Sequence, residues 1–207
     1  MHLYAFGSVC RGEVTLGSDI DLLAVTDGFD SRFDVNIYSV YSYGRLRDMW
    51  VEGAPFAWHL SLESKLIYSS DGDDYLKMLG RPARYNSALT DCAKFAALFK
   101  RASASLSQGT NSRVFELSTI FLAVRNFATC FSLGAGDSPD FSRYSALRLG
   151  PHSLRIDQDA FDTIERARIL STRGVGKSIN KTDECVVISQ LDYIAAWMER
   201  LTRAVEQ

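Results

Sequence analysis

The sequence has few cysteines and histidines, and neither type is grouped as a metal site or a catalytic triad would require. The four cysteines lie far apart, at Cys10, Cys92, Cys130 and Cys185. The three histidines stand in unrelated contexts, at His2, His59 and His152. Neither set has the short paired spacing that structural zinc sites use. We therefore expect no zinc site, and we expect reduced thiols of the kind that cytoplasmic proteins carry.

The sequence also lacks an excess of charge of one sign and a long hydrophobic run. With 23 Lys and Arg against 25 Asp and Glu, the formal net charge is −2. This balance does not support a broad surface for nucleic acid, although it leaves room for a local anion site. No stretch reaches the roughly 18 apolar residues of a membrane span, and the first residues lack the basic-then-apolar layout of a secretory signal. We expect a soluble, cytoplasmic protein without a membrane partner.

Hydrophobic patterning divides the chain into two parts. The N-terminal part carries short β-type runs, which predict strands at 2–6, 20–25, 33–40 and 65–68. Between the last two strands, residues 43–63 are predicted to be helical, with an interruption at Gly53-Ala54-Pro55 because proline removes a helical hydrogen-bond donor.

The rest of the chain has helical periodicity. Apolar residues near the i, i+3, i+4, i+7 pattern predict helices at 85–106, 112–133, 157–170 and 187–205. Loops are predicted at 134–139 and 174–183. We therefore predict an α+β protein, with a small mixed-sheet domain at 1–74 and a C-terminal helical bundle at 75–207.

The segment after the first predicted strand is suited to phosphate. Gly7-Ser8 ends that strand and leads into a short helical turn. Glycine lets the backbone approach a phosphate closely, and amides at a helix N-terminus favour its negative charge. Ser8 can add a hydroxyl group, and Arg11 can add a cation. The segment therefore predicts a local anion site.

Acidic residues follow on the next two predicted strands. Asp19 and Asp21 are two apart, so their side chains are expected to share one face of a strand while Ile20 and Leu22 face the core. Convergent carboxylates suit magnesium, which prefers oxygen ligands. Asp34, on the following strand, is a candidate to bind a second metal ion or to deprotonate an attacking hydroxyl group.

The spacing of these residues resembles a known signature. Gly7-Ser8, ten intervening residues and then Asp19-Ile20-Asp21 is similar to the motif of the minimal nucleotidyltransferases in the DNA polymerase β superfamily. Arg11-Gly12 and Ser18-Asp19 extend the similarity, which covers roughly the first 70 residues. The resemblance implies transfer of a nucleoside monophosphate from an NTP, with two Mg²⁺ ions or with Mn²⁺ in their place.

The same resemblance assigns roles to individual residues. It implies that the catalytic metal ligands are Asp19, Asp21 and Asp34. The residues predicted to bind the nucleotide are Gly7, Ser8, Arg11 and Ser18.

The helical part resembles, more loosely, the helical domains that accompany such nucleotidyltransferases, including the HEPN type. Active HEPN ribonucleases carry an arginine, usually followed by a polar residue, with a histidine four to six residues further on. Arg125-Asn126 is similar to the first half of that motif, but the places of the histidine are taken by Cys130, Phe131 and Ser132. We therefore do not predict ribonuclease activity.

The acceptor of the nucleotide stays open between three classes. These are a protein, as in toxin–antitoxin pairs, an RNA 3′ end, and a small hydroxylated molecule such as an aminoglycoside. A non-catalytic nucleotide-binding module, antitoxin-like or associated with defence, is the alternative from a different functional class. A homo-oligomer is compatible with each of these hypotheses.

Overall fold

The computed structural model describes residues 1–13, 20–135 and 139–205 of the chain. An α/β unit ends at Asn86, and a helical unit begins at Ser87. The first unit contains, in chain order, β1 (His2–Phe6), a 3-10 helix (Gly7–Arg11), β2 (Asp21–Thr26), β3 (Tyr38–Ser42), α1 (Tyr43–Glu52), α2 (Pro55–Glu63), β4 (Ser64–Ser69) and α3 (Tyr75–Met78). The predicted α+β class is confirmed.

The helical unit is built around its longest described helix. In chain order it contains α4 (Ala88–Ser107), α5 (Arg113–Ala135), 3-10 turns at Ser145–Leu147 and Gly150–His152, α6 (Gln158–Arg173), α7 (Lys181–Ile188) and α8 (Leu191–Val205). Helix α5 packs against α4, α6 and α8. It is long and apolar enough to cross a membrane by length and composition, and most of its apolar stretch is buried within the protein. Burial of this kind is what the central helix of a helical core shows.

The four strands form one mixed sheet in the order β3-β2-β1-β4. Strand β1 is antiparallel to both of its neighbours, whereas β2 and β3 are parallel. Phe6, at the end of β1, pairs with Asp21 of β2 on one side and with Ser64 of β4 on the other. The residue that follows Phe6 therefore emerges between the first residues of two neighbouring strands.

One face of the sheet forms the core of the α/β unit. Tyr4 of β1 and Leu23 and Val25 of β2 are buried in this core, because alternate residues of a strand point to the same side. The expectation that Ile20 faces the core is wrong, since Ile20 is 60% exposed, whereas Leu22 is half-buried. A shift of one residue exchanges the two faces of a strand. Asp21 therefore continues the buried row of Leu23 and Val25.

Strand β3 begins later than predicted. Residues 33–37 form turns, and the strand starts at Tyr38. The backbone carbonyl of Asp34 accepts the N–H groups of Ile37 at 2.9 Å and Tyr38 at 2.8 Å. The Asp34 carboxylate also accepts the backbone N–H of Asn36 at 2.8 Å. Such local bonds from Asp side chains compete with pairing in a sheet, which is why the predicted strand at 33–40 is shortened.

The predicted interruption of the 43–63 helix is confirmed. Ser42 caps α1, because its hydroxyl oxygen accepts the N–H of Arg45 at 3.1 Å. Helix α1 ends before Gly53, which has φ +66°, and α2 begins at Pro55. Proline is well tolerated at the first position of a helix, where its missing N–H would have no intrahelical partner.

The two units divide after Asn86, later in the chain than the sequence-based boundary between residues 74 and 75. Tyr75 and Leu76 pack in the core of the α/β unit. The indole N–H of Trp50 also donates to the carbonyl of Gly80 at 2.9 Å. Burial and this hydrogen bond hold the segment after residue 74 in the N-terminal unit.

The helix predicted at 187–205 begins later than predicted, and a separate helix precedes it. Helix α7 ends at Ile188, and α8 starts at Leu191. Helix α7 also begins inside the predicted loop at 174–183, because Asn180 and Asp183 form a reciprocal capping box at its N-terminus. The cap signal is local, and the apolar periodicity used for the prediction did not include it.

The cysteine thiols differ in their expected reactivity. Burial raises the pKa of the Cys92 thiol to about 12, and it also raises the pKa of the Cys10 thiol. Cys185 is exposed. Since the thiolate is the reacting form, a raised pKa leaves less of it at any given pH. We expect a thiol reagent at pH 8 to modify Cys185 first, Cys10 slowly, and Cys92 only after denaturation.

Mass spectrometry of labelled peptides at successive times would measure this order. Cys185→Ser is the matched control and should remove the fast phase. Rapid labelling of Cys92 in the folded protein would contradict the expectation.

Candidate active site

A glycine turn connects β1 to the segment that precedes β2. Gly7 has φ +76°, and Gly12, which closes the 3-10 helix, has φ +74°. Glycine adopts these angles without the steric cost that a Cβ atom imposes. The carbonyl of Ser8 accepts the N–H of Glu13 at 2.9 Å, and the carbonyl of Val9 accepts the N–H of Gly12 at 3.1 Å. We call residues 7–12 the glycine turn.

The carboxylate of Asp21 lies directly against this turn. A Cβ atom built on Gly7 would stand 2.6 Å from Oδ2 of Asp21. The approach follows from the sheet, because Asp21 is the antiparallel partner of Phe6, the residue before Gly7. The structure therefore brings together two of the predicted site residues, Gly7 and Asp21, and a side chain at position 7 would require both a strained φ of +76° and a shift of the Asp21 carboxylate.

Two other predicted site residues, Ser18 and Asp19, lie outside the described residues. Their roles as nucleotide ligand and metal ligand stay predictions. Ile20 and Asp21 are the first described residues after this gap.

Asp34 does not lie on a strand beside Asp21, which the sequence-based argument for a third carboxylate required. Its side chain is exposed, and its Oδ1 accepts both the backbone and the side-chain N–H of Asn36 at 2.8 Å. A depression of about 640 Å³ opens beside Asp21, and its described lining consists of residues 20–22 and 35–41. The predicted strand position of Asp34 is therefore wrong, and its role as a third carboxylate stays a prediction.

The described part of the chain contains no group of three His, Cys, Asp or Glu side chains placed to hold a metal ion. Asp21 is the predicted metal ligand that the described structure places at the glycine turn. Its carboxylate oxygens are hard donors of the type that Mg²⁺ prefers.

Arg11 is directed toward carboxylates of its own chain. Its Nε donates to Glu13 Oε2 at 2.9 Å, and its Nη1 donates to Glu63 Oε2. Burial lowers the pKa of Arg11, but the hydrogen bonds and charges of Glu13 and Glu63 outweigh that influence and the net shift is upward. Arg11 is a cation at any ordinary pH, and in this structure it forms ion pairs with these two carboxylates.

Glu63 is a residue at this site that the sequence analysis missed. It is the last residue of α2 and is only 12% exposed at its side chain. His59, one helical turn earlier, places Nε2 at 3.0 Å from Oε2 of the same carboxylate. The available signal was the i, i+4 spacing of His59 and Glu63, which is common on helix surfaces and specifies no site.

The mixed sheet, the glycine turn and the carboxylate that meets it all lie in the part of the chain that resembles a known family. Residues 2–78 match the family model described as "Nucleotidyltransferase domain", which spans most of the α/β unit and less than half of the chain. Domains of this class generally use NTPs and divalent metal ions. A comparison with curated proteins gives no significant match.

Proposed function

We propose that the protein is a magnesium-dependent nucleotidyltransferase, which moves a nucleoside monophosphate from an NTP to a hydroxyl acceptor. The observation that carries this proposal is the contact between the glycine turn and Asp21. Phosphate groups need exposed backbone donors, and divalent cations need carboxylates beside them. Under the proposal, the backbone of the glycine turn offers the donors and Asp21, which lies against Gly7, offers the carboxylate.

The donor set fits magnesium or manganese. Asp21, together with Asp19 as the proposed second ligand, would hold the ions, and bound ions would stabilise negative charge on the phosphates. Gly7 is part of this fit, because its missing side chain leaves the space that the Asp21 carboxylate occupies.

Other groups of the chain would position the triphosphate for the transfer. The backbone of Gly7 and the hydroxyl group of Ser8 would orient the phosphates, and Ser18 is proposed to add a second hydroxyl. In the transfer, the acceptor oxygen forms a bond to the α-phosphorus while the bond between that phosphorus and the bridging oxygen breaks. Pyrophosphate leaves, and the acceptor loses its proton. Positioning of the reacting groups supplies most of the catalysis in reactions of this type.

Three acceptor classes remain under the proposal, namely a protein, an RNA 3′ end and a small molecule such as an aminoglycoside. The formal net charge of −2 disfavours a long RNA, because such binding relies on many cation–phosphate contacts.

Incubation with each α-labelled NTP, Mg²⁺ and cell extract tests the proposal. We expect label on an acceptor or on the protein itself, together with pyrophosphate release, and we expect both to disappear when EDTA replaces Mg²⁺. Intact mass spectrometry identifies a protein acceptor by the added mass of the monophosphate. A rise in melting temperature with NTP but no pyrophosphate would assign the chain to the non-catalytic, nucleotide-binding class instead.

A further inference from the structure

Two separate segments of the α/β unit meet at the guanidinium group of Arg11. Arg11 is the last residue of the 3-10 helix in the glycine turn, Glu13 follows that turn, and Glu63 ends helix α2. Arg11 donates to both carboxylates, with Nε at 2.9 Å from Glu13. The contact between Arg11 and Glu63 joins residues 52 positions apart.

The contact is partly shielded from water. The side chains of Arg11 and Glu63 are 20% and 12% exposed, and that of His59 is 14% exposed. The His59 ring packs edge to face against Phe6, with 5.5 Å between the ring centroids. Charge-assisted hydrogen bonds are stronger when they are shielded in this way than on an open surface. The Arg11–Glu63 pair therefore restrains the turn more firmly than an exposed ion pair would.

The sheet gives this contact a specific position relative to Asp21. Phe6 pairs with Asp21 on the β2 side and with Ser64 on the β4 side. Glu63 is the residue directly before Ser64, so the glycine turn emerges between the Asp21 carboxylate and the Glu63 carboxylate. Asp21 contacts the start of the turn at Gly7, and Glu63 holds its end at Arg11.

We infer that Glu63 is a positioning residue for the glycine turn, which it holds in place through Arg11. The inference rests on the proposed function for its catalytic consequence, whereas its structural consequence is independent of any reaction. Loss of the Glu63 charge releases one end of the glycine turn. The backbone of the turn and the hydroxyl group of Ser8 are then no longer positioned to bind the triphosphate. The substrate is then bound less well, while the chemistry at Asp21 continues once the substrate is bound.

Hydrogen exchange tests the structural part in the absence of nucleotide. We expect Glu63→Gln to speed exchange of the peptide that covers residues 7–13 by about tenfold, since the Gly12 and Glu13 amides are bonded within the turn. Glu52→Gln is the matched control, because Glu52 ends helix α1 as Glu63 ends α2, but it is exposed and pairs with Arg45 on the surface. Exchange of the turn should be the same in this control as in the native protein. Unchanged exchange in Glu63→Gln would overturn the inference.

Steady-state kinetics test the catalytic part. We expect Glu63→Gln to raise KM for the NTP about tenfold and to change kcat by less than about threefold, with no such split in Glu52→Gln. Arg11→Gln should raise KM at least as much, and the double variant should be no worse than Arg11→Gln alone, because that variant already removes the contact with Glu63. If Glu63→Gln fails to fold, Arg11→Gln tests the same contact.

The two possible failures are distinguishable. Faster exchange in a protein that releases no pyrophosphate under any condition would keep the positioning role and reject the proposed activity. A fall in kcat with KM unchanged would reject the positioning role in favour of a direct catalytic one.

Discussion

Asp21→Asn is expected to remove nucleotidyl transfer almost completely, with a fall in kcat/KM of about 1000-fold. This loss corresponds to about 4 kcal/mol of transition-state stabilisation, which is in the range of a lost metal ligand. Asparagine has nearly the same shape as aspartate, so it can still lie against Gly7, but it lacks the charge that holds a cation. We therefore expect the melting temperature to change little.

Rates of pyrophosphate release in Mg²⁺ measure the effect, and circular dichroism confirms that the variant is folded. Asp27→Asn is the matched control, since Asp27 follows the last residue of the same strand and is exposed. We expect its activity to stay within about twofold of the native value. Near-native activity in Asp21→Asn, or an equal loss in both variants, would contradict the assignment of Asp21.

Gly7→Ala is expected to have the larger effect on the free energy of unfolding. The new Cβ atom would stand 2.6 Å from Asp21 Oδ2, and the φ of +76° is costly for any residue with a side chain. The left-handed backbone costs about 1–2 kcal/mol, and displacement of the Asp21 carboxylate from its rotamer adds about 0.5–1.5 kcal/mol. Because the Asp21 carboxylate must also move, we expect transfer to fall by about 100-fold.

Gly12→Ala separates the cost of the left-handed backbone from the cost of the contact with Asp21. Gly12 has nearly the same φ, +74°, but a Cβ atom there meets nothing within 4 Å. We expect this control to show only the backbone cost of about 1–2 kcal/mol in urea unfolding, and to retain most of the activity. If both variants lose the same stability and activity, Gly7 has no special relation to Asp21.

Local patterns predicted much of the α/β unit. Strand β1 was predicted at the residues where it occurs, because a short apolar run followed by Gly7-Ser8 is typical of a buried strand. The break between α1 and α2 was equally visible, since Gly53 and Pro55 act on their own backbone. These predictions needed no information from distant parts of the chain.

The failures have local and long-range causes. The strand predicted at 33–40 begins only at Tyr38, because Asp34 bonds to its near neighbours instead of pairing in the sheet. The contact between Arg11 and Glu63 was missed because it joins residues 52 positions apart. A glutamate at the end of a helix has many surface explanations, and periodicity does not distinguish among them.

The sequence by itself determined the class of fold, and it predicted a candidate site made of a glycine-serine turn followed by two spaced carboxylates. Only the tertiary structure decided which groups meet. The pairing of Phe6 with Asp21 sets one carboxylate against Gly7, and its pairing with Ser64 brings Glu63 to Arg11. Strand register is fixed by packing over the whole sheet, so it is not readable from the short segments that it joins.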